Sequence, residues 1–521
     1  MPRTVFSQRL GEAMALRGLK QVDLLRMAAG QGQKLGKSQL SQYLSGKTLP
    51  RTATLSFLAT TLGVTERWLM GKEPHAGGAL PHEAASPDQR LPHASSRPSA
   101  PSHGPIKNTA ADQEVPAMRT FEKSSKLDHV SYDVRGPVPD AANRMEEAGM
   151  HILKLNIGNP APFGFRTPDE VVQDMASQLT DTEGYSDSRG LFSARKAIMQ
   201  YDQLKGIPDV TMNDIYTGNG VSELINLIMQ AMVDTGDEVL VPSPDYPLWT
   251  ACVTLAGGVA VHYLCDEQAG WLPDLDDIRS KITSNTKAIV IINPNNPTGA
   301  LYPRELLEEI VEVARQNQLI ILSDEIYDRL VMDGEEHVSI ASLAPDLFCI
   351  TLNGLSKSHM IAGWRIGWMS ISGNKRLGKG LVEGINMMSN MRLCSNVPAQ
   401  SIVQTALGGH QSVKGYVVEG GRVRRQRDYV YERLSQIEGV SVVRPKAAFY
   451  IFPRLDPARF NVQDDDQFAL DLLQDKRVLV VGGKGFNWFT PGYFRIVYLP
   501  RRAVLGEALD KLEDFLRHYR Q

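Results

Sequence analysis

Four short runs stand out along the chain because nearly every position in them is apolar: E-V-L-V-P (238–242), A-I-V-I-I (288–292), L-I-I-L-S (319–323) and F-C-I-T-L (348–352). A strand with one wet face alternates apolar and polar side chains, so runs without alternation predict parallel strands buried on both faces. Between them lie stretches of helical spacing, such as 304–317. Strands alternating with helices predict an α/β doubly wound sheet. From about residue 385 the pattern becomes mixed α+β, with strands predicted at A-F-Y-I-F (448–452) and F-R-I-V-Y (494–498).

The first 72 residues show helical spacing alone. Phe6, Leu10, Ala13 and Met14 share one face of a first helix, and residues 20–28 make a second with Leu24 and Ala28 inward. Ser38 is placed to N-cap a short helix, S-Q-L-S-Q-Y-L-S, that stops at Gly46. Leu55, Leu58, Leu62, Val64, Trp68 and Leu69 supply apolar packing behind it. Residues 73–120 break both patterns: eight prolines among Ser, Ala and His, with no sustained period, predict a disordered linker. The predicted organisation is therefore a head at 1–72, a linker at 73–120 and a body at 121–521. Within the body the expectation is a large domain at about 165–384 and a small one at about 121–164 plus 385–521.

Charge sharpens that division. The head holds 11 Lys+Arg against Glu12, Asp23 and Glu66, a balance of +8, whereas the whole chain carries −3. A basic head on an acidic body predicts that only the head meets a polyanion. Cys252, Cys265, Cys349 and Cys394 show neither paired nor metal-like spacing, so reduced thiols and no metal are expected. With no apolar signal core and no membrane-length run, a cytoplasmic protein is expected.

The chemistry concentrates just after the apolar runs. In N-G-L-S-K-S-H-M-I-A-G-W-R (353–365), Lys357 follows a strand, with Ser356 before it and Arg365 eight positions on. A lysine that bonds a pyridoxal phosphate aldehyde must sit beside a phosphate clamp, and a serine and an arginine suit that clamp. Asp324, in L-S-D-E-I-Y (322–327), falls at the carboxyl end of a strand, where ligands of open α/β sheets bind. It could hold a pyridinium nitrogen, with Tyr327 one helical turn on, or simply N-cap a helix. N-P-N-N-P-T-G (293–299) fixes a tight turn that presents Asn296 to a ligand, or forms an ordinary loop.

Taken together, these motifs resemble the fold-type-I, class I/II pyridoxal-phosphate-dependent aminotransferases. L-N-I-G-N-P-A-P-F-G-F (155–165), S-P-D-Y-P-L-W (243–249) and M-R-L-C-S-N-V-P-A-Q (391–400) resemble its bacterial glutamate–pyruvate (alanine) subgroup. The resemblance implies that Lys357 carries the cofactor, Asp324 binds its ring nitrogen, and Tyr327 and Asn296 reach its ring hydroxyl. It implies Tyr246 on the ring face, and Ser356, Arg365 and the backbone amides of Asn219 and Gly220 on the phosphate. Tyr185 would reach the phosphate of a neighbouring subunit, which implies a homodimer. Arg495 would take the substrate α-carboxylate, Gly158 would close over the amino acid, and Tyr132 and Arg135 are candidates for a distal carboxylate. Two positions depart from the common pattern: Gly354 stands where a phosphate-binding serine often precedes the lysine, and Val221 replaces a frequent hydroxyl residue.

Residues 5–70 resemble the repressor/Cro-like helix-turn-helix family, in which the recognition helix enters the major groove. That resemblance implies DNA contacts by Ser38, Gln39, Ser41 and Gln42, with Gln21 and Lys47 near the backbone. A helical protein-interaction module of the same fold is the alternative. The expected activity is transamination between alanine/pyruvate and glutamate/2-oxoglutarate. The alternatives are an amino-acid-sensing transcriptional regulator with an aminotransferase-like body, and an aminotransferase with another amino donor.

Overall fold

The computed structural model describes residues 4–30, 35–72, 122–128, 130 and 137–521. The predicted linker at 73–120 and the candidates Tyr132 and Arg135 lie outside the described residues. By its internal contacts the chain divides into two units, Met1–Pro116 and Ala117–Gln521.

The first unit is helical: α1 (Val5–Leu16), α2 (Gln21–Gly30), α3 (Lys37–Leu44), α4 (Thr52–Leu62) and α5 (Glu66–Leu69). Phe6, Leu10, Met14, Leu24, Leu40, Leu58 and Leu69 bury themselves in one core. The Thr4 side chain caps α1 by accepting from Ser7 N at 3.2 Å, and Thr65 caps α5 from Trp68 N at 3.0 Å. Helix α3 starts one residue before the expected Ser38 cap. Gly36 is its N-cap, and the Gln39 side chain accepts from the Gly36 amide at 3.2 Å. The expected stop holds, since Gly46 adopts a left-handed φ of 75°.

The second unit is built on an eight-stranded sheet. In chain order its strands are β1 (Ile215–Gly218), β2 (Glu238–Ser243), β3 (Val259–Asp266), β4 (Leu272–Pro273), β5 (Thr286–Ile292), β6 (Ile320–Asp324), β7 (Phe348–Gly354) and β8 (Gly367–Gly373). Their spatial order is β1-β8-β7-β6-β5-β2-β3-β4, with β7, β6, β5, β2 and β3 mutually parallel. The apolar runs are explained by what covers them. Val239, Val241, Val290 and Ile292 pack into one core, while Leu240, Ile289 and Ile291 pack into another on the opposite face. The first of these cores includes Leu224, Ile228 and Met232 of α6 (Val221–Met232). The second includes Leu307, Ile310 and Ala314 of α7 (Arg304–Gln316).

Register decides where the chemistry goes. Ile292 pairs with Asp324, Asp324 with Leu352, Gly354 with Gly367, and Gly218 also with Gly367. The carboxyl ends of β1, β5, β6 and β7 therefore share one edge with the start of β8.

A third core gathers the chain before the sheet with the chain after it, including Leu153, Phe165, Phe449, Phe494 and Leu509. It holds a small antiparallel sheet in the order β9 (Tyr450–Ile451), β11 (Phe494–Val497), β10 (Val481–Gly482). Both strands expected here are present, the first of them cut to two residues. All four cysteines are free thiols. No described helix is long and apolar enough to cross a membrane.

Candidate active site

The shared strand edge opens into a cavity of about 440 Å³, within the size of small-molecule sites. Lys357, Asp324, Tyr327 and Asn296 line it, as do Tyr246, Ser356, Arg365, Gly158 and Arg495. These positions run from 158 to 495 in the chain, and the sheet register brings them together.

Lys357 lies in a single helical turn, Leu355–Ser358, that begins where β7 ends. Its Nζ donates to the carbonyl oxygen of Gly158 at 2.7 Å. A Cβ at position 158 would overlap the Tyr450 hydroxyl, so only glycine lets this backbone approach so closely. The Tyr450 hydroxyl in turn meets that of Tyr327 at 2.7 Å. Tyr327 is reached through a turn, not the helical turn expected from sequence, and no helix follows Asp324 for that residue to cap.

Arg495 projects from β11 and is 7% exposed. Its Nη1 donates to Asn296 Oδ1 at 2.8 Å, and Nη2 donates to the Asn156 carbonyl. The guanidinium carbon lies 4.4 Å from the centre of the Tyr450 ring and 4.5 Å from that of Phe486. Its buried Nε has no hydrogen-bond partner, nor has the buried Asn156 Oδ1. A buried guanidinium with a spare donor at a cavity wall suits an anionic ligand.

Asp324 is buried, and burial pushes its carboxyl up to about 6. The two hydrogen bonds it accepts, from Trp249 Nε1 and Ile326 N, are both 3.3 Å. Beneath it, Lys205 binds Glu325 and also Asp328 Oδ2 at 2.8 Å. Glu325, Asp328 and His337 cluster closely enough to suggest a metal, but the Lys205 ammonium already sits against both carboxylates. Asp328 Oδ2 also accepts from Asn353 Nδ2 at 2.7 Å, which ties the turn after Asp324 to the strand presenting Lys357.

At the opposite end, α6 points its N-terminus at the cavity. Both amides expected at the phosphate already have acceptors. Asn219 N donates to Glu223 Oε2 at 2.7 Å and Gly220 N to the Gly218 carbonyl at 2.7 Å, so neither amide is free. Val221 and Ser222 line the cavity instead, and Ser222 supplies the hydroxyl absent at 221. The signal was present in sequence, since a carboxylate four residues after Asn219 can reach back to cap the helix start. Arg365 has a left-handed φ of 58°, and its Nη2 donates to the Asn219 carbonyl at 3.1 Å. The departure at Gly354 has a steric cause, because a Cβ there would stand 2.8 Å from the Ile366 carbonyl oxygen. At Gly367 a Cβ would stand 2.7 Å from Val221 N.

The remaining candidates lie elsewhere. Tyr185 is 82% exposed and does not line the cavity. In the first unit Gln21, Ser38, Gln39, Ser41, Gln42 and Lys47 are all exposed. Sequence reading missed Tyr450, Trp249 and Phe486, which are ordinary aromatics until the fold aims them.

Comparison with known proteins agrees with this geometry. Residues 150–512 match the family described as aminotransferase class I and II. The chain is 59% identical over 404 residues to the glutamate–pyruvate aminotransferase AlaA of Haemophilus influenzae, covering 78% of this chain and 100% of that one. It is 52% identical to an alanine aminotransferase of Mycobacterium tuberculosis, covering 80% of this chain and 96% of that one. Among solved structures, an aminotransferase from Escherichia coli superposes with a TM-score of 0.76 at 57% identity, covering 77% of this chain and 100% of that chain.

Proposed function

This chain belongs to the class I and II aminotransferase family, and from that premise we propose that it exchanges the amino group between L-alanine/pyruvate and glutamate/2-oxoglutarate with pyridoxal phosphate as cofactor. The observation that carries the reading is the shared cavity wall of Lys357, Asp324 and Arg495. The residues present fit the cofactor. Asp324 is a buried carboxylate with only long hydrogen bonds, which a protonated ring nitrogen would satisfy. The α6 N-terminus with Ser222, Ser356 and Arg365 fits a phosphate. Tyr246, Asn296 and Tyr327 remain for the ring.

When bound, the cofactor supplies an aldehyde for amine exchange and a ring that accepts the electrons of the broken Cα–H bond. Lys357 would hold the cofactor through Nζ, and the same amine is placed to take the proton from the substrate Cα. Arg495, its guanidinium held against the Tyr450 and Phe486 rings, grips the α-carboxylate and so fixes which Cα bond faces Lys357. Asp324 keeps its charge against the ring nitrogen, which it can do because a cationic partner offsets the burial that raises its pKa. Support for Arg135 as partner of a distal carboxylate is that Pro137, two residues on, lines the same cavity. Support for a homodimer is the exposure of Tyr185, which leaves it available to a second copy.

The test is a screen of amino donors and oxo acceptors on the purified holoenzyme. Alanine with 2-oxoglutarate should give the highest kcat/KM; preference for aspartate or an aromatic donor would overturn the assignment.

A second reading concerns the first unit, proposed as a helix-turn-helix domain that binds duplex DNA. The observation favouring it is α3, which buries Leu40 and Tyr43 while exposing Ser38, Gln39, Ser41 and Gln42 on a +8 head.

A further inference from the structure

The turn that carries Tyr246 and the segment that carries Phe486 are joined by a buried polar clasp. Asn487 Nδ2 donates to Asp245 Oδ1 at 2.6 Å, and Asp245 N donates to the Phe486 carbonyl at 2.9 Å. Ser243 Oγ donates to the Asn487 carbonyl at 2.6 Å. The second carboxylate oxygen of Asp245 accepts from Thr250 Oγ at 3.1 Å. The same Thr250 hydroxyl lies 2.9 Å from Nε2 of His262, whose ring burial holds down at about 4. Asp245 and Asn487 are both buried. Asn487 has a left-handed φ of 54°, a conformation asparagine adopts more readily than most residues.

The clasp ends on both sides in the cavity. Tyr246 follows Asp245 in the chain, Phe486 precedes Asn487, and both line the cavity. Phe486 forms one of the two aromatic walls that hold the Arg495 guanidinium, and Tyr450 forms the other. The Tyr450 wall is fixed by its bond to Tyr327. The Phe486 wall belongs to a four-residue turn, Gly483–Phe486, and the bonds to residues 243 and 245 pin its end.

We propose that Asp245 and Asn487 are positioning residues that set the plane of the Arg495 fork through Phe486, and so govern affinity for the α-carboxylate shared by every amino-acid and oxo-acid substrate. The proposal rests on the reading of Arg495 as the α-carboxylate site. A two-pronged grip needs the guanidinium plane to match that of the carboxylate, so a wall free to tilt weakens binding before it slows proton transfer.

The test uses the holoenzyme and two readouts: steady-state KM and kcat with alanine and 2-oxoglutarate, and the Kd of 2-aminoisobutyrate from the shift of the visible band. That amino acid has no Cα hydrogen, so it reports binding alone. Asn487→Ala should raise both KM values and the Kd by about tenfold, the worth of one charge-assisted hydrogen bond, with kcat within about twofold. Asn487→Asp should be worse at pH ~8 and above, where Asp245, whose carboxyl burial pushes up to about 7, is ionised and opposes the new carboxylate. The double exchange Asp245→Asn with Asn487→Asp returns a donor opposite an acceptor and should restore KM and Kd to within about threefold of wild type. Phe486→Leu, which removes the ring and leaves the clasp, should reproduce the KM effect and carries the test if Asn487→Ala fails to fold. The proposal is overturned if Asn487→Ala or Phe486→Leu lowers kcat with KM and Kd unchanged, or if the folded double exchange stays as impaired as Asn487→Asp. Were Arg495→Lys itself to leave the Kd unchanged, the α-carboxylate reading would fall instead.

Discussion

Lys357 Nζ donates to the carbonyl oxygen of Gly158 across 2.7 Å, joining residues 199 positions apart in the chain. The contact depends on the missing side chain at 158, whose Cβ would overlap the Tyr450 hydroxyl. Gly158→Ala must therefore push Tyr450 off Tyr327 or pull the carbonyl away from Lys357. Overpacking of this kind costs roughly 1–3 kcal/mol of stability, and because either displacement moves a group on the cavity wall, kcat/KM for alanine should fall on the order of tenfold. Steady-state rates beside an unchanged far-ultraviolet circular dichroism spectrum would check it.

Lys357→Ala removes the residue proposed both to link the cofactor and to carry the proton. Transamination should drop to background, and the visible band that borohydride traps in the wild type should be lost. Turnover above a trace in this variant would remove Lys357 from its assigned role.

Arg495→Lys keeps the charge but loses the fork, and an ammonium cannot stack between Tyr450 and Phe486 as a planar guanidinium does. Loss of one charge-assisted bond is worth about 1.5–3 kcal/mol, so kcat/KM should fall on the order of tenfold to a hundredfold for every amino donor. A loss confined to one donor would move Arg495 from the α-carboxylate to the side-chain pocket.

Much of this was legible beforehand, and the exceptions have physical causes. The strands holding Val239, Ile289, Ile321 and Ile350 announce themselves because both faces are dry. Strand β8 is as buried, yet Ser370 and Ser372 interrupt its apolar pattern, and Ser370 is there to donate to the buried Asp202. In the site, Lys357, Asp324 and Arg365 sit in motifs that single them out as candidates, and all three line the cavity. Tyr450 and Phe486 do not, because their work is to flank Arg495, and only the fold puts them there. The amides of Asn219 and Gly220 are what the family resemblance implies for the phosphate. The Glu223 carboxylate competes for the first of them, which moves the free end of α6 to Val221 and Ser222.

Asp324 gives a pH signature in the cofactor-free protein. Below about pH 4 its carboxyl is neutral in both states; above that the unfolded chain ionises first, while the folded one holds its proton to about 6. Stability contributed by this group is therefore present in acid and lost as pH rises through about 6, by on the order of 2–3 kcal/mol. Asp324→Asn has no proton to hold. The stability difference between wild type and variant, from urea unfolding at several pH values, should shrink or reverse from pH ~4 to pH ~7. A difference that grows with pH would mean an ionised Asp324 stabilises the folded protein.

Removing residues 1–72 should leave transaminase rates unchanged, since every proposed catalytic position lies in Ala117–Gln521. The isolated head should bind duplex DNA with an affinity that falls steeply as salt rises, because its +8 charge displaces counterions from phosphate. No salt-sensitive affinity for any duplex, the chain's own promoter region included, would leave the protein-interaction reading of this unit.

Gly354 and Gly367 let three backbone passes touch at the end of the cavity where α6 begins: a methyl group at 354 would meet the backbone of Ile366 and Gly367, one at 367 the backbone of Gly220 and Val221, and one at Gly220 the guanidinium of Arg365. Such a wall has few side chains to lose, so it is hard to erode by truncation and easy to ruin by addition. Under random substitution the most fragile positions at this end would be those that begin with the fewest atoms, and alanine, elsewhere the mildest exchange, would be among the most damaging.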